Sequence, residues 1–176
     1  RKSVVINGAT ADHLVVTARV SGAPADEDGL GVFLVAKGAG VDATSHASID
    51  GPHVSEIEFS NAAATPLGTP GSDWPLIERI LAAGALAVSA EAVGAMDVAK
   101  DMTVEYLKER KQFGKPIGAN QVLQHRMVDV LLEIEQARSA VMLAANTFEA
   151  DRNTRELNVA AAKNLVGRAG RLVAEE

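Results

Sequence analysis

Residues 109–117 read Glu-Arg-Lys-Gln-Phe-Gly-Lys-Pro-Ile and separate two long helical patterns. Gly114 can adopt backbone angles that other residues resist, and Pro116 disfavours helix at the residue before it. The stretch therefore predicts a corner at which two helices turn back on each other as an αα-hairpin. Its guanidinium, amide, aromatic ring and two ammonium groups suit a phosphate and a nucleotide base. The alternative is a solvated basic corner without a ligand, and the chemistry of the residues alone favours this alternative.

Composition excludes several classes of protein. A net charge of −6 argues against non-specific nucleic-acid binding, and the lack of cysteine excludes disulfide frameworks and thiolate metal sites. No apolar run reaches the roughly 18 residues of a membrane span, and no charged-then-apolar leader opens the sequence. The histidines lack metal-ligand spacing, and Ser45, Ser48 and Asp50 form no recognisable triad with His46 or His53. We expect a soluble, cytoplasmic protein.

The first part of the chain predicts β-strands. Their apolar and β-branched runs cover residues 2–6, 13–20, 31–37 and 54–59. Four or five strands give an incomplete barrel, and an open apolar sheet edge is an aggregation hazard. We therefore expect further strands before Arg1. Residues 61–72 are rich in proline and glycine and predict a linker, which places the domain boundary between residues 71 and 72.

The second part predicts three long helices. The first begins near Ser72 or Asp73, the second covers about 120–151, and Asn153 with Glu156 predicts a capping box for the third. Apolar residues of the second helix recur at helical spacing and predict a core-facing stripe: Leu123, Met127, Val130, Leu131, Ile134, Ala137, Val141, Ala144 and Phe148. Three antiparallel helices need a further partner to close a bundle. The predicted fold is α+β, with part of a small β-barrel in residues 1–71 and part of an antiparallel helical bundle in residues 72–176. Both domains are incomplete, so we expect the chain to be a fragment.

The corner motif resembles a known signature. Residues 110–117, then Gln121 and residues 125–129, resemble the turn and following helix of the acyl-CoA dehydrogenase family, whose motif reads roughly Glu-Arg-x-Gln-Phe-Gly-x-Pro. The resemblance continues in residues 4–19 and 31–41 and covers essentially the whole chain. It implies an FAD enzyme that converts an acyl-CoA to a trans-2-enoyl-CoA and passes electrons to an electron-transferring flavoprotein. It also implies the family's barrel and helical bundle.

The resemblance assigns roles to the corner residue by residue. Arg110 matches the arginine that reaches the pyrophosphate of FAD, and in the family that FAD belongs to the neighbouring subunit. Gln112 and Phe113 match residues that touch the ADP portion, and Gln121 matches a further polar contact. A dimer or tetramer of this chain, or a hetero-oligomer, is therefore expected. For Gln121 the alternative is an amide that hydrogen-bonds the preceding loop.

The resemblance also bears on catalysis. Most family members use a glutamate late in the C-terminal domain as the base, but a minority place it at the start of the first long helix, where Glu78 stands. The alternative is that Glu78 lies in the first helical turn, where negative charge is favourable. Arg79 matches a position near the CoA or acyl part of the substrate, although Leu76 departs from the acidic residue usual there.

The flavin-facing strand departs from the family pattern. The family often has Trp at the position of Val4, and Ser or Thr at that of Ile6, where the hydroxyl bonds the flavin ring. Ile6 has no hydroxyl, so it could contact flavin only through its backbone. A non-catalytic paralogous subunit that completes a partner's FAD site is therefore one alternative. The others are an acyl-CoA oxidase, which the sequence does not separate from a dehydrogenase, and a helical assembly module without a ligand.

Overall fold

The computed structural model of the protein describes residues 1–49 and 51–176. The chain divides into two compact units, Arg1–Arg79 and Ile80–Glu176. The first unit holds two small antiparallel sheets and the beginning of the first helix. The second unit holds the rest of that helix, two further helices and a short β-hairpin. This architecture confirms the predicted α+β fold.

Strands of the first unit form two three-stranded sheets. The strands are β1 Lys2–Ile6, β2 His13–Arg19, β3 Leu30–Ala36, β4 Val41–Ala47, β5 His53–Phe59 and β6 Thr65–Pro66. One sheet has the order β1-β5-β4 and the other β2-β3-β6. The core between them contains Leu14, Val35 and Ile57. The sequence did not predict β4, whose side chains are mostly exposed, nor β6, which lies in the predicted linker.

Strand β1 carries a bulge. Lys2 pairs with Ile57 but Val5 pairs with Ser55, so Ser3 and Val4 together face the single residue Glu56. Val4 adopts a positive φ of 56°. This left-handed region is unfavourable for a β-branched side chain and costs roughly 1–3 kcal/mol. The bulge leaves Val4 exposed at one edge of its sheet.

A buried aspartate ties the loop before the first helix to strand β3. Asp73 is 5% exposed, and its carboxylate accepts hydrogen bonds from the backbone N–H groups of Val32, at 2.8 Å, and Thr69, at 2.7 Å. A Cβ on Gly68 would lie 2.2 Å from Asp73 Oδ1, so a side chain at residue 68 would displace this hydrogen-bonded carboxylate. Residues 67–73 are therefore an ordered connection as well as the predicted linker.

The helices are α1 Trp74–Glu109, α2 Gln121–Asn146 and α3 Arg152–Glu175. Helix α2 thus ends before the predicted residue 151. The cap of α3 is Asp151, whose side chain accepts a bond from Thr154 N, so the predicted box built on Asn153 is wrong. The first turn of α1 contains no acidic residue, because the helix begins at Trp74 and places Glu78 one turn later.

The three helices share a core in the second unit. Its buried residues come from all of them: Ala82, Val93 and Met96 from α1, Val130, Ile134, Ala137 and Ala144 from α2, and Val159, Ala162, Val166 and Ala169 from α3. Leu131, assigned to the core stripe by its spacing, is 44% exposed. Arg138 Nη2 joins α2 to α1 through both carboxylate oxygens of Asp97, at 2.8 and 2.7 Å.

Candidate functional site

The corner between α1 and α2 is a tight β-hairpin. Strand β7 Lys111–Gln112 pairs with β8 Lys115–Pro116, and a 3-10 helix, Ile117–Ala119, leads into α2. The two turn residues both have positive φ, 51° at Phe113 and 82° at Gly114. Type I′ turns require this of both central residues, and Asn-Gly is the usual pair. An aromatic residue in the first position is strained, and such strain is typical of functional sites.

The base of the hairpin is held against the end of α1. Ile117 N donates to Arg110 O at 2.8 Å, and the side-chain amide of Gln124 donates to Gly118 O at 2.8 Å. A Cβ on Gly118 would lie 2.8 Å from the backbone oxygen of Leu107, so the 3-10 helix packs closely on the last turns of α1. The tip is therefore presented from a fixed base.

The hairpin and the residue before it present uncommitted groups. Within the described chain, the side chains of Arg110, Lys111, Gln112 and Lys115 are exposed and have no hydrogen bond or ion pair to other protein groups. Phe113 is fully exposed at 100%. Three cations within six residues create a positive local field on a chain whose net charge is −6. The arrangement suits an anion beside an aromatic or planar group.

Gln121 lies where α2 begins and is exposed. The alternative role given to it, bonding the preceding loop, belongs instead to Gln124 one turn later. The sequence did not single out Gln124 or Gly118, although a glycine just after the signature proline was a usable signal. An apolar cleft of about 280 Å³ lies beside the hairpin base, lined in part by Leu107, Gly118 and Met127.

The two residues assigned to substrate chemistry lie on α1 in the first unit. Glu78 is half-buried and Arg79 is exposed, and each has an interaction with other protein groups. Neither the helix start nor its burial distinguishes Glu78 as a base. Its role therefore remains a prediction.

Strand β1 presents an aliphatic surface. Val4 is 68% exposed and Ile6 is 66% exposed. The two polar side chains of the strand are already engaged: Ser3 Oγ donates to Glu56 Oε2 at 2.9 Å, and Lys2 Nζ donates to Thr17 Oγ1 at 3.3 Å. Within Lys2–Ile6, the Ser3 hydroxyl proton is used by Glu56, whereas the Lys2 ammonium uses one of its three N–H donors for Thr17.

Other groups form no recognisable site. Among residues 1–49 and 51–176, no cluster of three or more His, Asp or Glu could hold a metal ion. Ser45 Oγ lies 3.2 Å from His53 Nδ1, but this pair is exposed, and Asp50 lies outside the described residues. None of the described helices is long and apolar enough to cross a membrane.

Comparison with known proteins identifies the family of the chain. A sequence profile described as acyl-CoA dehydrogenase, C-terminal domain, matches residues 71–176, which include the hairpin and all three helices. The chain belongs to the acyl-CoA dehydrogenase family. The glutaryl-CoA dehydrogenase of Desulfococcus multivorans is 32% identical over 176 residues, which are 96% of this chain and 45% of that protein.

Solved structures agree with this assignment. The structure of a glutaryl-coenzyme A dehydrogenase in complex with glutaryl-CoA is similar to this chain, with a TM-score of 0.87 and 28% identity. The match covers 99% of this chain and 46% of that dehydrogenase chain. A chain of the ChsE4-ChsE5 complex from Mycobacterium tuberculosis is also similar, with a TM-score of 0.80 and 28% identity. The match covers 99% of this chain and 46% of the other. The chain spans less than half the length of the curated relatives it matches.

FAD, the cofactor that the family implies, fits the two candidate surfaces unequally. The hairpin offers a planar cation, amides and an aromatic ring, which match the diphosphate and base of a nucleotide. Strand β1 exposes aliphatic side chains at Val4 and Ile6, and its Ser3 hydroxyl is bonded to Glu56. The exposed groups of the hairpin therefore fit the nucleotide part of the cofactor, whereas the side chains of Val4 and Ile6 offer no hydrogen-bond donor to a flavin ring.

Proposed function

We propose that the chain is part of an FAD-dependent acyl-CoA dehydrogenase that converts an acyl-CoA thioester to a trans-2-enoyl-CoA. The observation that carries this proposal is the hairpin, where Arg110, Gln112 and Phe113 stand exposed on an anchored, strained turn. FAD, when bound, accepts the β-hydride of the substrate. The chain's own residues supply binding contacts, positive charge and, at Glu78, a place for the α-proton.

The proposed role of the hairpin is to complete the FAD site of a neighbouring subunit. Arg110 binds the pyrophosphate, Phe113 and Gln112 contact the ADP portion, and Gln121 adds a polar contact. The assembly is a homodimer or homotetramer, with a hetero-oligomer as the alternative. The solved ChsE4-ChsE5 complex joins two differently named proteins, which supports considering that alternative.

The proposed chemistry at α1 uses a carboxylate. Glu78 takes the α-proton of the acyl-CoA, and Arg79 contacts the CoA or acyl part of the substrate. A carboxylate base needs an apolar enclosure that brings its pKa towards the working pH. The competing assignment places the base in a part of the protein outside these 176 residues. Full turnover by Glu78→Gln would favour that assignment.

The proposed electron acceptor is an electron-transferring flavoprotein in a cytoplasmic pathway of fatty-acid or other lipid metabolism. The second candidate function is an acyl-CoA oxidase, which passes electrons to oxygen. Relatives named for glutaryl-CoA and short-chain acyl-CoA support a CoA thioester as the substrate class.

The test is anaerobic titration of the full-length protein, in its flavin-bearing assembly, with butyryl-CoA, glutaryl-CoA and a long-chain acyl-CoA. At least one should bleach the visible flavin absorbance and yield the enoyl-CoA. Re-oxidation by an electron-transferring flavoprotein supports a dehydrogenase, whereas rapid re-oxidation by air supports an oxidase. An assembly without flavin contradicts the proposal.

A further inference from the structure

We propose that Arg19 is a positioning residue: it fixes the loop between β2 and β3 and, through that loop, the start of α1, where Glu78 and Arg79 lie. The proposal rests on the proposed function, because it takes Arg79 as a residue that contacts the substrate. It adds a residue that acts on substrate binding through the backbone and needs no contact with the substrate itself.

The guanidinium of Arg19 binds backbone carbonyls along the whole β2–β3 loop, residues 20–29. Nη1 donates to Ser21 O at 3.2 Å and Asp28 O at 3.0 Å, and Nη2 donates to Pro24 O at 3.2 Å and Asp26 O at 2.8 Å. Both nitrogens of a planar fork are used, which the single ammonium of a lysine cannot reproduce. The loop therefore wraps around one cation, and its shape depends on that cation.

The two ends of the loop are in close contact. Val20 N and Ser21 N both donate to Gly29 O, at 2.7 and 3.3 Å. Gly29 has a positive φ of 89°, and a Cβ there would lie 2.1 Å from Ser21 O. Since Arg19 holds Ser21 and Ser21 lies against Gly29, a movement of the loop is passed on to Gly29.

Gly29 and the residue after it bind the segment that leads into α1. Gly29 N donates to Gly71 O at 2.8 Å, and Leu30 O accepts from Gly71 N at 3.0 Å and from Asp73 N at 3.1 Å. Asp73 O in turn accepts from Ile77 N, at 3.0 Å, in the first turn of the helix. A chain of hydrogen bonds therefore runs from the Arg19 guanidinium to the beginning of α1.

The two residues assigned to substrate chemistry follow in the next turn of this helix. Glu78 and Arg79 belong to the same compact unit as the loop. At 1.5 Å per residue, Arg79 lies roughly 9 Å along the helix axis from Asp73. A helix transmits a displacement over this distance, and an error of about 1 Å in positioning can cost up to a hundredfold in turnover. Loss of the Arg19 bonds therefore reaches Arg79 through the backbone.

The experiment compares Arg19→Ala and Arg19→Lys with wild type, each as the full-length protein in its flavin-bearing assembly. The matched control is Lys37→Ala, just after the other end of the β2–β3 pair, where the ammonium donates to the carbonyl of Ala9. Hydrogen exchange is followed by mass spectrometry. We expect faster exchange in residues 20–29 and 71–79 of Arg19→Ala, and wild-type exchange there in Lys37→Ala.

Kinetics give the readout that a merely structural role would not move. With the best acyl-CoA of the titration above, the KM of Arg19→Ala should rise about tenfold, while its FAD content stays at the wild-type level. Arg19→Lys should recover only part of this loss. The four bonds lie at the surface, so free guanidinium can reach the oxygens. Guanidinium chloride far below the molar concentrations that unfold proteins should lower the KM of Arg19→Ala, and sodium chloride should not.

Unchanged exchange in the loop of Arg19→Ala would overturn the proposal. Faster exchange together with a wild-type KM would also overturn it, because the loop would then have no influence on substrate binding. If the wild-type assembly reduces its flavin with none of the acyl-CoA substrates, the proposed function fails. In that case the exchange of residues 71–79 decides by itself whether Arg19 fixes the start of α1.

Discussion

Strand β1 and the α1–α2 hairpin share one backbone feature and differ in what they do with it. Val4 and Phe113 both occupy the left-handed region, at φ 56° and 51°, and both expose an apolar side chain. The strain at Phe113 stands beside an uncommitted guanidinium and amide. The strain at Val4 stands beside Ser3, whose hydroxyl is already bonded to Glu56. Backbone strain alone therefore does not identify a binding site. A strained residue indicates a binding site only when hydrogen-bond donors beside it are free to contact a ligand.

The largest expected effect concerns the connection between strand β3 and helix α1. Asp73→Ala removes a buried acceptor and leaves the N–H groups of Val32 and Thr69 without it, which should cost roughly 2–4 kcal/mol. Urea unfolding followed by circular dichroism measures this loss. The control Asp12→Ala, at an exposed position, should change stability by less than about 0.5 kcal/mol. Equal effects of the two substitutions would refute the anchoring role of Asp73.

The next prediction concerns the base of the hairpin. Gly118→Ala places a Cβ 2.8 Å from Leu107 O, a backbone atom that cannot move aside easily. We expect a loss of about 1–3 kcal/mol and weaker FAD retention, because the tip loses its fixed base.

The matched control is Gly84→Ala, at an α1 position whose added Cβ meets nothing within 4 Å. Alanine is the better helix former there and should stabilise by up to about 1 kcal/mol. Thermal unfolding should show a lower melting temperature for Gly118→Ala and a higher one for Gly84→Ala. A stable Gly118→Ala protein with unchanged FAD retention would mean that the hairpin does not depend on this contact.

Acid should weaken the helical unit in a way that depends on Asp97. Its pKa lies below the ordinary value, chiefly because Arg138 donates hydrogen bonds to the carboxylate. The unfolded chain therefore takes up the proton more readily. The stabilisation is complete above the unfolded pKa, about 3.9, and is lost as pH falls through the lower folded pKa.

Asp97→Asn should therefore flatten the fall in stability between about pH 6 and pH 3, a change on the order of 1 kcal/mol. Urea midpoints at the two pH values measure it. Asp101→Asn, whose carboxylate is 73% exposed and pairs with Lys100, is the control. The same acid sensitivity in wild type and Asp97→Asn would contradict this account of the Asp97–Arg138 pair.

The smallest effect separates stability from binding at the tip. Phe113→Asn gives the hairpin the Asn-Gly pair that this turn prefers, and should stabilise the protein by about 0.5–1 kcal/mol. FAD retention should fall at the same time, because the aromatic surface is gone. Opposite changes in melting temperature and flavin retention are the expected signature. A variant that gains stability and keeps its flavin would show that Phe113 has no binding role.

Sequence predicted the elements whose signals are local. The apolar runs gave β1, β2, β3 and β5, and the long apolar spacing gave all three helices. Strand β4 was missed because its Asp-Ala-Thr-Ser-His run has little apolar content and is mostly exposed. The cap of α3 was placed at Asn153 although Asp151 makes it, because several capping residues stand close together there.

Long-range contacts explain what sequence could not predict. Asp73 accepts a hydrogen bond from Val32, 41 positions earlier in the chain. Residue 118 must be small because the backbone oxygen of Leu107 lies close to it across the corner. The αα-hairpin was predicted at residues 109–117, but its β-ladder and positive φ at Phe113 were not, since an aromatic residue rarely takes that conformation. The donors of the corner could be predicted from its residue types, whereas the contacts that fix its base could be seen only in the folded structure.

The most direct measurement is the FAD dissociation constant of the flavin-bearing assembly containing wild-type, Arg110→Ala or Arg110→Lys protein. Loss of a charge-assisted, bidentate contact should weaken binding about ten- to hundredfold in Arg110→Ala, and Arg110→Lys should recover only part of it. Arg171→Ala, a surface arginine on α3 that is 79% exposed, should bind like wild type. Wild-type affinity in Arg110→Ala would contradict the assignment of the hairpin to FAD.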